Sequence, residues 1–297
     1  MQTLLRLLYT ILILSIISCD SSNKQTKDSP VKDEKEQRFE NYAKILETSI
    51  RNGDYKKLNT SWDIDLFKSK VLAKGMVATN VLESGEKYFR KVIFKVNNDM
   101  VDEVKQYGAF TLSRFHFEND VPKAFYTYKT DIGINFIEFV FKAEGDDIKI
   151  IDFYNFQQGE YYSESINKMI AYVNKYGGKK GAYVDAMELV GLAVKQANDK
   201  RYETAWKTIN AISDNLLNDN YFQYKRIQVA RAISDLRYYE AIEDFLALKP
   251  KNEKLQLYYK IHLYHMKKDR KKLNAAAKDL EEIVGKSELF TKWRRYR

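Results

Sequence analysis

Few residues in this chain are equipped for covalent, acid–base or metal chemistry. It holds one cysteine, Cys19, and three histidines, His116, His262 and His265. A thiol attacks as its thiolate, and Cys19 alone offers one. It stands directly behind an apolar run and a small residue, Ser18. His262 and His265 lie three apart, which puts both on one face of a helix, close enough to share a metal ion. Zinc sites bring three or four ligands together. No third ligand stands nearby, and the flanking Tyr and Leu residues argue for packing. No GxGxxG, phosphate loop, GxSxG or HExxH occurs. These residues lead us to expect no metal, no cofactor and no enzyme.

The elements around Cys19 explain its place. Residues 7–17 are apolar except for Tyr9, Thr10 and Ser15, and Arg6 precedes them. A permanent membrane helix needs about 20 apolar residues, so the run has the length of a signal-peptide core, residues 1–18. The sequence Ile16-Ile17-Ser18-Cys19 resembles the lipobox of bacterial lipoproteins. The resemblance implies a diacylglycerol thioether on Cys19, cleavage before it and acylation of the new amino terminus. Several acyl chains anchor stably where one does not. The implied address is the bacterial cell envelope, lipid-anchored, on the outer membrane where the organism has one. Asp20 resembles an inner-membrane retention signal of some bacteria, so membrane and leaflet stay open. With Cys19 carrying lipid, thiol catalysis is excluded, no disulfide is available, and the fold must rely on packing.

Residues 19–36 are polar and charged, with Val31 as the one aliphatic residue, too little to offset ordering entropy. They read as a flexible tether. The ~260 residues beyond are comfortable for two domains, expected at 37–160 and 163–297. The net charge of +9, or +8 without Arg6, aids solubility and favours anionic membrane surfaces. Nucleic acid is the usual partner of a basic chain but not of an exported one.

Residues 36–51 carry Phe39, Tyr42, Ala43, Leu46 and Ile50 at helical spacing, and Asn52-Gly53-Asp54 ends them. Residues 55–72 and 83–106 read as further helices. The period then changes to two in 109–117, 123–130, 134–141 and 148–156, four strands with short turns, hence an antiparallel meander. Helices followed by strands give an α+β fold for the N-terminal half. This element order resembles the NTF2-like (cystatin-like) cone fold, whose members enclose a pocket. The resemblance makes His116, Glu138, Tyr126 and Tyr128 the candidates for catalysis there. His116 and Glu138 alternate with apolar neighbours, so the expectation is that both face solvent.

Residues 163–176 form one more amphipathic helix. Beyond it, Asp199-Lys200-Arg201-Tyr202-Glu203-Thr204-Ala205 matches Asp235-Leu236-Arg237-Tyr238-Tyr239-Glu240-Ala241 in Asp, Arg, Tyr and Ala. These segments resemble the turn and second helix of a tetratricopeptide repeat. Ile209 and Ile212 follow Ala205 at the apolar positions of that pattern, and Phe245 and Leu248 follow Ala241. Ala193 holds the small position of the preceding helix, where the second repeat has Val229. A third, more degraded pair spans 255–266 and 273–284, and 287–296 reads as a cap. An irregular helical bundle is the alternative. Stacked helix pairs leave a concave surface, and the resemblance places Gln223, Arg226 and Tyr259 on it.

Two basic runs remain, residues 267–272 and the tail Trp293-Arg294-Arg295-Tyr296-Arg297. They read as solvated helix ends or as contacts for anionic lipid. The expected function is a membrane-anchored module that binds an envelope protein or peptide through its helical repeats. The alternatives are a small molecule or lipid held in the N-terminal cone and, behind that, an enzyme there.

Overall fold

Four apolar residues at helical spacing bury one face of α1, Glu34–Arg51. The computed structural model describes residues 33–73, 79–130, 133–175 and 181–295. The expected helix over 55–72 is two helices, α2 (Tyr55–Thr60) and α3 (Ile64–Leu72). The chain leaves the helix between them to pair with a strand. Ile150 N donates to Ser61 O at 2.7 Å and Asp63 N to Ile150 O at 2.9 Å. The Asp63 side chain then caps α3 by accepting from Leu66 N. Helix α4, Thr79–Tyr107, contains non-helical dihedrals at Gly85. Beyond that kink it buries Phe89, Ile93, Met100, Val101 and Val104.

The strands follow in chain order: β1 Phe110–Glu118, β2 Val121–Thr130, β3 Gly133–Glu144, β4 Asp147–Asn155 and β5 Glu160–Tyr161. They form one antiparallel sheet in the order β1-β2-β3-β4-β5. The four expected strands are present, and the two-residue β5 is an addition. Helix α5, Tyr162–Lys175, leaves β5 directly. Buried Asp152 on β4 holds its start, accepting from Ser163 Oγ at 2.6 Å and Ser163 N at 3.2 Å. Burial pushes the Asp152 carboxyl up, and these bonds oppose it.

The rest is helical: α6 Ala182–Asn198, α7 Tyr202–Asn210, α8 Asp214–Leu217, α9 Asn220–Ile233, α10 Asp235–Ala247, α11 Glu253–Met266, α12 Arg270–Val284 and α13 Glu288–Arg295. The matched turns differ in form. Asp199-Lys200-Arg201 is a true loop, with Lys200 at φ 60°. In the second case Ser234 alone separates α9 from α10, and Asp235 is already helical. Leu248, expected to pack, is 50 % exposed because α10 ends before it.

The sheet has both faces buried, which explains its long apolar runs. On one face Tyr126, Phe139, Phe141 and Phe153 pack against α1 to α5. On the other, Phe125, Phe136, Tyr154 and Phe156 pack against residues of α9 to α13, including Ile227, Tyr238, Leu255, Tyr258 and Phe290. Residues 38–297 are thus one compact unit. The boundary expected near residue 160 is a change of secondary structure and not a gap between two bodies.

The contact between α12 and the sheet is specific. A bulge in β1 turns Ser113, which donates to Val284 O at 2.8 Å. Arg114 donates to the carbonyls of Glu282 and Ile283 at 2.7 and 2.9 Å, satisfying the C-terminal end of α12.

Candidate functional site

Five helix ends meet around a concavity of about 950 Å³ in the C-terminal half. Arg231 comes from the last turn of α9, and Asp235, Leu236 and Tyr239 come from the start of α10. His265 and Met266 end α11, Lys268 lies in the next turn, and Arg270, Leu273 and Asn274 open α12. Arg294 and Arg295 close α13. The two basic runs that are separate in sequence therefore line one cavity.

The turn between α11 and α12 sorts its charges by direction. Asp269 caps α12 by accepting from Lys272 N, and that hydrogen bond is the main reason its carboxyl is held low. Lys267 turns outward to Glu243 at 2.6 Å, a bond that raises its pKa. Lys272 pairs with Asp269 at 3.2 Å.

Inside the concavity Arg231 is paired with Asp235, and Arg294 with Glu281 at 2.8 Å. Lys268, Arg270 and Arg295 have no acidic partner among the described residues. Burial lowers the pKa of His265 on the wall, which favours its neutral form. Leu236, Met266 and Leu273 supply an apolar lining. Three cations without acidic partners among the described residues give this concave space a positive potential.

The groove residues expected from the repeat pattern lie elsewhere. Gln223 is 4 % exposed and donates to Leu217 O, inside the turn that precedes α9. Tyr259 is 1 % exposed and donates to Gln157 O at 2.8 Å. Neither offers a surface to a partner, because α11 packs Tyr259 onto the loop after β4 and α8 closes over Gln223. Arg226 lies across the Trp206 ring and pairs with Asp244 at 2.7 Å.

The N-terminal candidates are likewise placed by packing. Tyr126 is stacked on Phe110, with ring centroids 4.8 Å apart, and donates to Ala43 O at 2.9 Å. Tyr128 accepts from Asn135 Nδ2 at 2.6 Å. Burial raises the pKa of both phenols. Phe39, Phe67, Phe89, Phe110, Phe139 and Phe141 fill the space between the helices and the sheet with rings.

Glu138 corrects the expectation of a solvent-facing side chain: it is 0 % exposed, because the C-terminal helices cover its face of the sheet. It pairs with Lys123 at 2.8 Å and Lys254 at 2.9 Å. Burial alone would lower the pKa of Lys123, but Glu118, Glu138 and Tyr161 outweigh it and raise it. His116 is half-buried and stacked on Phe125, 5.2 Å between centroids. Burial lowers its pKa, with Arg114 acting in the same direction.

His262 is buried, within 3.2 Å of Tyr238 OH. No group of three or more His, Cys, Asp or Glu side chains able to hold a metal occurs among the described residues. No helix among them is long and apolar enough to cross a membrane. Cys19, the leader 1–18 and most of the tether 19–36 lie outside the described residues, as do Tyr296 and Arg297 of the tail. Within the tail, sequence reasoning missed how Arg294 and Arg295 join Arg270. The only signal was their shared charge.

No protein family, no curated protein and no solved structure matches this chain.

Proposed function

We propose that this chain is a membrane-tethered binding protein of the bacterial cell envelope. In this reading lipid on Cys19 anchors it, on the outer membrane where one exists, and residues 163–297 are the recognition half. The helix pairs α6–α7, α9–α10 and α11–α12 are taken as tetratricopeptide-like units. Burial of Ala193, Ala205, Val229 and Ala241 where those helices pack supports that assignment. The partner is an envelope protein or peptide that presents an anionic group.

One observation carries the reading: Lys268, Arg270 and Arg295 converge, without acidic partners among the described residues, in an open concavity. Like charges around one space repel one another, and an anion placed there would offset that repulsion.

The test is crosslinking in intact cells, followed by capture of the full chain and mass spectrometry. A specific partner lost on Arg270→Glu and Arg295→Glu is the expected result. Mass spectrometry of the same sample reads residue 19. An unmodified thiol there removes the tether, and capture indifferent to both charge reversals removes the recognition site.

A further inference from the structure

The cations Lys268, Arg270 and Arg295 border one cavity. An extended acidic peptide spreads its carboxylates about 3.3 Å per residue along a line, and a matching surface would repeat its cations along that line. A phosphate monoester concentrates up to two charges and three acceptor oxygens on one atom.

Arginine forks fit such oxygens in bidentate pairs, and lysine adds a point charge. Arg270 opens α12, Lys268 precedes it by two residues in the turn, and Arg295 lines the same cavity from the end of α13. The volume, about 950 Å³, leaves space for whatever carries the phosphate. Leu236, 65 % exposed, and Met266 give that carrier an apolar wall.

We propose that the concavity binds a phosphate-bearing ligand, with its phosphoryl group held by Lys268, Arg270 and Arg295 and its carrier resting against Leu236 and Met266. This rests on the reading of residues 163–297 as the recognition half, and it replaces an unspecified anion by a chemical class. The same chemistry is offered by a phospholipid head group and by a free phosphate ester.

The test uses the purified full chain in dodecyl maltoside micelles, with inorganic pyrophosphate as the probe and calorimetry as the readout. Binding is expected to saturate and to weaken about tenfold or more on R270E and on R295E, the loss of one charge-assisted contact. K251E makes the same charge change on an exposed residue outside the concavity and is expected to bind as the parent does. Unchanged thermal melting of each variant keeps a folding defect apart from a binding one.

Micelles doped with phosphatidic acid separate the sources. Competition with pyrophosphate assigns the site to a lipid head group, and its absence assigns the site to a free ester. Either result supports the proposal. It is overturned if pyrophosphate does not saturate, if K251E loses as much affinity, or if a polyglutamate peptide displaces pyrophosphate at lower concentration. Partner capture that needs Arg270 while pyrophosphate fails to bind would end this inference and leave the binding-module reading standing. Pyrophosphate binding with no partner captured would keep residues 163–297 as the recognition half and this inference with it, and remove only the protein or peptide partner from the proposed function.

Discussion

Lys254, in the first turn of α11, places its ammonium 2.9 Å from Oε2 of Glu138 on β3. The pair joins the helical half of the molecule to the sheet, across 116 positions of sequence. Lys254 also lies over the ring of Tyr154 at 4.9 Å, and Asn252 just before it accepts from Tyr154 OH at 3.0 Å. Lys123 completes the cluster on the other carboxylate oxygen. Removing one member of a buried ion cluster leaves the others uncompensated, at a cost of about 3 kcal/mol or more. Glu138→Gln keeps the volume and is expected to lower stability by that amount in urea denaturation. Lys254→Met is expected to cost about 1 kcal/mol, because Lys254 is partly exposed and solvent screens it. A loss below about 1 kcal/mol in Glu138→Gln would mean that the cluster does not hold the two halves together.

A shared core predicts a shared transition. Trp62 sits among Phe67 and Phe153 on one side of the sheet, and Trp206 packs with Arg226 and Arg237 in the helical half. With Trp293 replaced by Phe, and one of the other two retained at a time, each tryptophan reports on its own half. Both fluorescence signals are expected to change at the same denaturant concentration, as two-state unfolding requires. Two separate midpoints would show that residues 38–297 are not one cooperative unit.

Gly285 and Gly145 make a controlled comparison. Both have positive φ, 83° and 56°. A Cβ on Gly145 would meet nothing within 4 Å. One on Gly285 would overlap the Ser113 carbonyl and lie 2.7 Å from Arg114 Cβ. Gly145→Ala is therefore expected to cost only the left-handed backbone penalty, about 1–2 kcal/mol. Gly285→Ala adds displacement of α12 from the β1 bulge and is expected to cost more, about 3 kcal/mol in all. Urea midpoints at unchanged slope measure both, and equal losses would show that the close approach at Gly285 is easily relieved.

What was legible in the sequence follows from what local patterns encode. The period-two runs and their turn residues located the four long strands of the sheet to within a few positions, since alternation and turn chemistry are local. The break at residues 61–63 was not legible, because Ser61 and Asp63 leave the helix to bond Ile150, a partner almost ninety residues away. The burial of Glu138 was hidden for a related reason. Its alternation with Ile137 and Phe139 correctly puts it on the opposite face, but no local signal says that α11 covers that face. The apolar residues on both faces of β3, Ile134, Phe136 and Val140 on one and Ile137, Phe139 and Phe141 on the other, were the available clue, as expected for a strand buried on both sides. Gln223 and Tyr259 were misplaced because the matched segments give helix spacing and not what covers each helix face, which is α8 over Gln223 and the loop after β4 over Tyr259. The basic concavity depends on helix ends from positions 231 to 295 meeting in space, a relation that charge runs alone do not contain.

His262 offers a pH test of the same interface. Burial pushes its pKa down to about 3, while a hydrogen bond to the Ile134 backbone on β3 partly opposes that shift, and His265 and Arg231 add to it. The unfolded value is near 6.5. Between those limits the unfolded chain takes up a proton that the native chain refuses, so stability falls as pH drops below about 6.5. The contribution is about 1.4 kcal/mol per pH unit, or roughly 2 kcal/mol by pH 5. His262→Gln is expected to be less stable at pH 7.5, having lost the fit to Tyr238 and Tyr258. Its stability should then decline less steeply toward pH 5, because no imidazole at that position is left to titrate. Parallel urea denaturation of both proteins from pH 7.5 to 5 measures the difference in slope. Identical slopes would mean that His262 accepts its proton inside the folded protein, and that the contact between α11 and β3 opens readily enough to let it.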